Sequence, residues 1–207
     1  ALIATEDRRF YKHSGIDVKG LGRAFILRGL LRQRSAGGGS TISQQFAKLL
    51  FHEQAKTKME RLKQKIMEWI IAVKLERAYT KEEIIAFYFN QYDFLYNAVG
   101  IQSAAEVYFN TTLDSLKIEE SAMLVGMAKN SALYNPKRFP DIALRRRNTV
   151  LSQMERYGYI TEELSDSLRA LPLEIDFKKL SHNEGLATYF REHLRKVMGA
   201  REPQRKN

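Results

Sequence analysis

Hydrophobic residues recur every three to four positions along most of the chain, which is the period of an α-helix. Breaks in that pattern separate the expected helices, which cover residues 18–34, 57–78, 100–109, 117–129, 141–157, 161–169 and 184–199. The few β-like stretches, of which 171–177 is one, are too short to build a sheet. The pattern therefore predicts an all-α fold.

The N-terminal residues predict one further helix. Leu2, Glu6, Phe10 and His13 fall on one side of a helix that Gly15 is well placed to end. Because the first residue already lies inside this pattern, we expect the chain to be a piece of a longer protein.

Two helix starts carry the signature of a capping box, in which a threonine and a residue three positions later bond each other's backbone amides. Thr41 and Gln44 have this spacing directly after the glycine run 37–39, and Thr80 and Glu83 have it further along. Helices are therefore predicted to begin just after Thr41 and Thr80.

The helix expected at 57–78 separates its apolar residues from one carboxylate. Its apolar stripe consists of Leu62, Ile66, Trp69, Ile70 and Val73. That stripe is expected to pack on the hydrophobic core. Glu68 lies on a different face, where Lys65 three residues earlier would hold its carboxylate ionised and the small Ala72 leaves room beside it.

Composition restricts the chemistry that the chain can perform. The 207 residues suit a single globular domain, and the absence of cysteine excludes disulfides and thiolate metal sites. Residues 8–65 hold 14 Lys and Arg against 3 Asp and Glu, whereas the remainder holds 20 against 21. One segment thus carries the whole net charge of +10, which indicates an anionic partner such as nucleic acid, an anionic membrane or a phosphorylated substrate.

Glu6 and Glu68 are candidate acid–base groups. Ile3 and Phe10 are helical neighbours of Glu6 and should partly desolvate its carboxyl group, which suits proton transfer. Asp7 points away from Glu6 and is expected to orient or cap another group. On local evidence alone, Glu6 and Asp7 also fit ordinary acids near a helix end, and Glu68 fits a surface ion pair.

The segment after the glycine run is a candidate anion site. Glycines let backbone N–H groups approach an anion, and the start of the next helix adds unpaired donors. Gln44, Gln45 and Lys48 supply further donors, although a hinge beside a well-capped helix explains the same residues. Elsewhere, the arginines at 145–147 are expected to form a solvated helix face, and residues 87–96 are expected to lie mostly in the core.

Four ordered blocks, at residues 6–15, 38–45, 65–76 and 81–101, resemble the peptidoglycan glycosyltransferase domain of class A penicillin-binding proteins and monofunctional transglycosylases. The resemblance covers about residues 1–170. It implies a lysozyme-like helical lobe with a small membrane-facing jaw, and places the jaw and a mobile segment at about 18–60.

The resemblance also implies where the protein acts. Residues 171–207 would lead toward a transpeptidase domain, whose Ser-x-x-Lys and Lys-Thr-Gly motifs these 207 residues lack. The expected location is the outer face of the bacterial inner membrane, with residues 18–34 on the membrane surface and the anchor outside this chain.

The implied substrates are lipid II and the growing glycan strand, with cell-wall synthesis proteins as further partners and no nucleic acid. Glu6 would take the proton from the acceptor 4-hydroxyl as an inverting β-1,4 bond forms. Glu68 would assist the departing diphosphate, directly or through a divalent cation, Mg²⁺ or Mn²⁺, and Lys48 and Lys65 would neutralise phosphate charge. The other residues implied to bind substrate are Asp7, Phe10, His13, Gly39, Ser40, Thr41, Gln44, Gln45, Tyr88 and Asn90.

Two other functions fit parts of the sequence. A lysozyme-like hydrolase or lytic transglycosylase explains a helical fold with Glu6, but gives the glycine run and the basic segment no purpose. A helical nucleic-acid-binding module explains the basic segment and predicts binding that does not depend on Glu6.

Overall fold

A computed structural model of the chain describes residues 1–24, 39–50 and 57–179. The α-helices within those residues are α1 (Leu2–Glu6), α2 (Val18–Ala24), α3 (Ile42–Leu49), α4 (Lys58–Ala78), α5 (Lys81–Gln91), α6 (Ile101–Phe109), α7 (Ile118–Met127), α8 (Pro140–Arg156) and α9 (Glu162–Ala170). The same residues contain no β-strand, only an isolated bridge between Asp93 and Val99. The all-α prediction is confirmed, and the membrane-facing jaw stays a prediction.

Helix starts follow the capping signals in the sequence. Thr41 accepts a hydrogen bond from the backbone of Gln44 at 3.2 Å, and Thr80 accepts one from the backbone of Glu83 at 3.2 Å. In both cases the side chain three residues on bonds the backbone N–H of the threonine in return. Both predicted starts are confirmed. The helix expected at 184–199 and the part of 18–34 beyond Ala24 lie outside the described residues.

The single N-terminal helix expected up to His13 is wrong beyond Glu6. α1 ends there, Asp7 leaves helical geometry with φ −153° and ψ 73°, and a 3₁₀ turn follows at Phe10–Lys12. The carboxylate of Asp7 instead accepts a hydrogen bond from the backbone N–H of Ile42, 35 residues away. A tertiary contact has therefore outweighed the local helical pattern.

Two hydrophobic clusters form the core, and α7 lies between them. Val125 and Ala122 of α7 join a cluster with residues of α1, α3, α5 and α8. Met123 and Leu124 join a second cluster with α6, against which the extended residues 171–179 also pack. Residues 122–127 of α7 are all buried, so this part of the helix forms the centre of the described fold.

α4 packs with the opposite face from the one its apolar stripe predicts. Glu68 and Ala72 are its buried residues, whereas Leu62 is 56% and Ile66 49% exposed. Gly15 explains the orientation: it has φ +94°, and a Cβ atom there would lie 2.8 Å from the backbone of Ala72. The glycine turn lies directly on the small-residue face of α4, so the expectation that the stripe packs on the core is wrong.

Arg147 holds the chain after α9 against α8. Its side chain is 1% exposed and donates hydrogen bonds to the carbonyl oxygens of Leu171 at 2.6 Å and Pro172 at 3.0 Å. The solvated face expected for the arginines at 145–147 is therefore wrong at Arg147. None of the helices in the described ranges is both long enough and apolar enough to span a bilayer.

Candidate active site

An open cleft of about 240 Å³ brings most of the candidate residues together. It is lined by Glu6, Ser40, Gln44, Gln45, Lys48, Arg61, Lys65, Glu68 and Lys129. The two carboxylates that the sequence singled out thus line one cleft, together with four cationic side chains. Such a cleft suits a substrate whose charge is negative.

Glu6, at the end of α1, is held by two polar partners. Its Oε1 accepts a hydrogen bond from Arg146 Nη2 at 2.8 Å, and its Oε2 accepts a longer one from Gln45 Nε2 at 3.3 Å. The side chain of Glu6 is 16% exposed, so the expected partial desolvation is confirmed, although the groups that hold its oxygens are polar. The short ion pair fixes Oε1 and leaves Oε2, the more weakly held oxygen, as the one suited to accept a proton.

Arg146 reaches Glu6 because α8 lies close against α7. Gly126 of α7 leaves the space, since a Cβ there would lie 3.0 Å from Arg146 Cγ. The guanidinium carbon lies 5.3 Å from the ring centre of Tyr134. Sequence reasoning missed Arg146 by treating its helix face as solvated. Three consecutive arginines span about 200° of a helix, and that spread was the available signal that one must face inward.

Glu68 is held by its own helix. Its side chain is 4% exposed, and its Oε2 lies 2.6 Å from Lys65 Nζ, so the predicted pair is confirmed. Lys65 Nζ also donates a hydrogen bond to Ser40 Oγ at 3.0 Å. One lysine therefore links the buried carboxylate to Ser40 at the cleft wall.

Asp7 orients the backbone rather than lining the main cleft. Its Oδ2 accepts the Ile42 N–H at the start of α3 at 3.1 Å and lies 2.9 Å from His13 Nε2. Thr41 Oγ1 donates to the carbonyl oxygen of Gly15 at 2.7 Å. These contacts fix the start of α3, the helix that carries Gln44, Gln45 and Lys48 into the cleft.

A buried polar cluster lies behind α3. Ser43 Oγ donates to Glu76 Oε1 at 2.5 Å, and Glu76 also forms an ion pair with Lys81. Lys81 Nζ donates to the carbonyl oxygen of His13 at 2.7 Å, while His13 Nδ1 lies 3.9 Å from Glu76. His13 therefore supports the site from behind, at a distance from the cleft.

Three further candidates lie away from the cleft surface. Tyr88 is 2% exposed, and its hydroxyl donates to the Ala128 carbonyl at 3.2 Å and lies 3.4 Å from Gln45 Oε1. Burial raises the pKa of Tyr88 well above its ordinary range. Phe10 is fully buried, and Asn90 is exposed without lining the cleft. Tyr88 and Phe10 can position other groups but present no free surface.

A second cavity of about 190 Å³ adjoins the cleft at Glu6. It shares Glu6 and Ser40 with the cleft and contains the candidates Asp7, Gly39 and Thr41. Its cationic lining residues are Arg8, Arg9, Lys19 and Arg23. Glu6 therefore lies where two cavities meet.

The residues that could hold a metal ion are few. Within residues 1–24, 39–50 and 57–179, no three Asp, Glu, His or Cys side chains cluster as ligands. Glu68 has one carboxylate oxygen beyond the one that Lys65 contacts. Mg²⁺ commonly binds one or two carboxylates together with substrate phosphates. Glu68 fits that role when phosphate oxygens and water complete the ligand set.

Known proteins and one protein-family model share sequence with this chain. A family model described as Transglycosylase matches residues 1–155. The chain is 39% identical over 189 residues to penicillin-binding protein 1F of Bacillus subtilis (strain 168), which covers 91% of the chain and 26% of that protein. It is 38% identical over 177 residues to penicillin-binding protein 1A of Escherichia coli (strain K12), covering 86% and 20%.

A third relative and one solved structure extend these matches. Penicillin-binding protein 1A of Aquifex aeolicus (strain VF5) is 41% identical over 175 residues, covering 84% of the chain and 23% of the relative. The crystal structure of penicillin-binding protein 1A from Haemophilus influenzae covers 77% of this chain and 20% of that chain at 26% identity. Its TM-score of 0.45 is too low to carry an argument about the fold.

The chain spans only a fifth to about a quarter of the length of these relatives. The family model, in contrast, covers most of the chain, including Glu6, Glu68 and Arg146. The chain therefore belongs to the transglycosylase family.

Proposed function

We propose that the chain is a peptidoglycan glycosyltransferase that polymerises lipid II into β-1,4-linked glycan and releases polyprenyl diphosphate. The observation that carries the proposal is the position of Glu6, between two cavities and in one cleft with Glu68 and four cations. A transfer between two sugars needs space on both sides of the base. Its anionic leaving group needs cations rather than a strong acid.

In the proposed reaction, Glu6 Oε2 takes the proton of the acceptor 4-hydroxyl. The oxygen attacks the anomeric carbon of the growing strand from the face opposite the diphosphate. The new C–O bond forms as the bond to the diphosphate breaks, and the electron pair leaves on the diphosphate oxygen. Arg146 and Gln45 support this role by holding the Glu6 carboxylate in one orientation.

The leaving diphosphate would lie against Lys48, Arg61, Lys65 and Lys129. Glu68 positions Lys65 through their 2.6 Å contact. We include in the proposal a divalent cation, Mg²⁺ or Mn²⁺, held by Glu68 and the substrate phosphates. Such a cation would neutralise charge on the leaving group.

The proposed setting is the outer face of the bacterial inner membrane, where the chain would meet lipid II, the growing strand and cell-wall synthesis proteins. Residues 18–34 are proposed to contact the membrane surface. Within the described part of that range, α2 supports this by exposing Val18, at 74%, beside the exposed Lys19 and Arg23. Residues 25–34 lie outside the described ranges.

The test supplies the protein with fluorescent lipid II in detergent and, separately, with purified sacculi. We expect glycan polymer from lipid II, no muropeptides from sacculi, and slower polymerisation after EDTA that added Mg²⁺ restores. Muropeptide release without polymer would instead identify a hydrolase. Polymerisation unchanged by EDTA would remove the cation from the proposal and leave the transferase intact.

A further inference from the structure

Glu76, near the end of α4, is a buried carboxylate that the proposed reaction does not use. Its side chain is 3% exposed and lines neither the cleft nor the second cavity. Its Oε1 accepts the 2.5 Å hydrogen bond from Ser43 Oγ, and its Oε2 forms the ion pair with Lys81. A buried carboxylate is costly unless it is paired and hydrogen-bonded, so these two contacts hold Glu76 in one place.

The lysine partner of this carboxylate continues the network. Lys81 Nζ donates to the carbonyl oxygen of His13 at 2.7 Å, and the ring of His13 lies 2.9 Å from Asp7 Oδ2. The same oxygen of Asp7 accepts the backbone N–H of Ile42, the first residue of α3. The contacts thus return to α3, one residue before the serine from which they started. They form a closed ring that joins the turn after α1, the start of α3, the end of α4 and the start of α5.

α3 has this ring on one face and the cleft on the other. Ser43 and Gln45 are two positions apart, and two positions on a helix turn the side chains by about 200°. Ser43 therefore faces Glu76, whereas Gln45 lines the cleft and donates its 3.3 Å hydrogen bond to Glu6 Oε2. Because Oε2 is the oxygen that would accept the proton, a contact that fixes α3 also fixes the donor that orients this oxygen.

Positioning explains the ring better than stability does. A buried ion pair adds little to the free energy of folding, since desolvation offsets the attraction, and apolar residues of similar volume often serve equally well. Charge-assisted hydrogen bonds are short and directional, so they specify one geometry. The ring also lies beside the proposed base, because its member Asp7 follows Glu6 directly in the chain.

We propose that Glu76 is a positioning residue for the transfer reaction: by holding Ser43 from behind, it sets α3 so that Gln45 orients Oε2 of Glu6. This inference rests on the proposed function, because it takes Glu6 to be the base. Glu76 itself has no contact with substrate. Loss of its contact with α3 should therefore lower kcat rather than raise KM, since of the four cleft cations only Lys48 belongs to α3.

The first variant is Ser43→Ala, which removes one hydroxyl and leaves Glu76 its ion pair with Lys81. We expect kcat for lipid II in detergent to fall about tenfold and KM to stay within about twofold, because a small misplacement of a catalytic group is costly. Glu76→Gln, which weakens the same contact from the other side, should lower kcat at least as much. If Glu76→Gln does not fold, Ser43→Ala alone decides the test.

The control is Tyr108→Phe, in the other hydrophobic cluster. It removes a hydroxyl that donates a buried 2.7 Å hydrogen bond to the carbonyl oxygen of Phe94. Tyr108→Phe and Ser43→Ala should both unfold at a lower urea concentration, but only Ser43→Ala should lower kcat. An unchanged kcat in Ser43→Ala, a change confined to KM, or an equal fall of kcat in the control would overturn the proposal.

A double-mutant cycle tests the route through Gln45. Gln45→Leu removes the donor to Glu6 Oε2, so kcat should already be low in that variant. Adding Ser43→Ala should then lower kcat by less than about twofold, because the serine hydroxyl acts through the same donor. Losses that multiply as if the two sites were independent would contradict this route.

Hydrogen–deuterium exchange tests the contact without relying on activity. The backbone amides of residues 44–47 in α3 should exchange faster in Ser43→Ala than in the wild type, while those of α6 stay unchanged. Equal exchange in α3 would show that Glu76 does not hold this helix. Lack of polymerisation by the wild type would instead refute the proposed function, and the exchange rates would still decide whether Glu76 positions α3.

Discussion

Glu6 and Glu68 line the same cleft, yet their partners come from very different parts of the chain. Glu68 pairs with Lys65, three residues earlier on the same helix. Glu6 pairs with Arg146, which is 140 residues away on α8. The orientation of Glu68 therefore depends on one helix, and that of Glu6 on the packing of α7 and α8. The proposed base is thus the carboxylate whose position depends most on the whole fold.

The largest expected effect is on polymerisation, and it distinguishes replacement of Glu6 from replacement of Glu68. Glu6→Gln keeps the shape of the side chain but cannot accept a proton, so polymerisation of lipid II should fall about 100- to 10,000-fold. Polymerisation by the Glu68→Gln variant should fall less, because Lys65 and the other cations remain. Polymerisation rates and circular dichroism of both variants test this, and a Glu6→Gln variant with wild-type activity would refute the assigned base.

The next effect tests the distant partner of Glu6. Arg146→Met leaves the carboxylate without its short ion pair, so we expect a loss of about 2–3 kcal/mol in the free energy of unfolding. Polymerisation should fall about 100-fold as Glu6 loses its orientation. Urea denaturation and polymerisation rates measure the two effects. Arg145→Met, at the exposed neighbouring position, is the control and should change neither; equal losses in both variants would contradict a specific role for Arg146.

A smaller effect is expected at the local partner of Glu68. Lys65→Met removes a charge-assisted contact to Glu68 and a cation from the cleft, so kcat/KM should fall roughly tenfold. High salt should lower the wild-type rate more than the variant rate. The control is Lys74→Met, which removes an exposed cation further along α4. If kcat/KM in detergent falls equally in both variants, the fall reflects the loss of a positive charge in general and not the specific contacts of Lys65.

The smallest effect concerns Tyr88, which supports Gln45 behind Glu6 and has no counterpart near Glu68. Burial raises the pKa of Tyr88, so its contribution to stability is complete below pH of about 10 and is lost as the pH rises further. Tyr88→Phe should cost about 1 kcal/mol at neutral pH, and this difference should shrink above pH of about 10. Urea denaturation at several pH values measures it. The exposed Tyr159→Phe is the control, and a difference that grew with pH would contradict the assignment.

The sequence predicted those parts of the fold that depend on near neighbours. The capping boxes at Thr41 and Thr80 and the pair of Lys65 with Glu68 involve residues three positions apart, and all are present. α1 shows the limit of prediction from neighbouring residues. Its pattern continues to His13, but Asp7 bonds Ile42 and the helix stops.

The sequence predicted most of the residues that line the candidate site, but not the contacts that hold them in place. Periodicity shows which residues of α4 share a face, but not which face turns inward, and Gly15 decides that by lying on Ala72. Arg146 was missed for the same reason: its partner is set by how α8 lies against Gly126. Lys129 was also missed, because an exposed lysine after α7 carries no local sign that it borders the cleft.

The contact between Gly15 and α4 affects how mutational data on this protein would be interpreted. Gly15 has no side chain that could take part in chemistry, yet any larger residue there would push α4, and Glu68 with it, away from the glycine turn. A saturation screen that selects for activity alone would therefore group Gly15 with the reacting carboxylates. Only a parallel screen for protein abundance would separate a residue that holds two elements together from one that reacts.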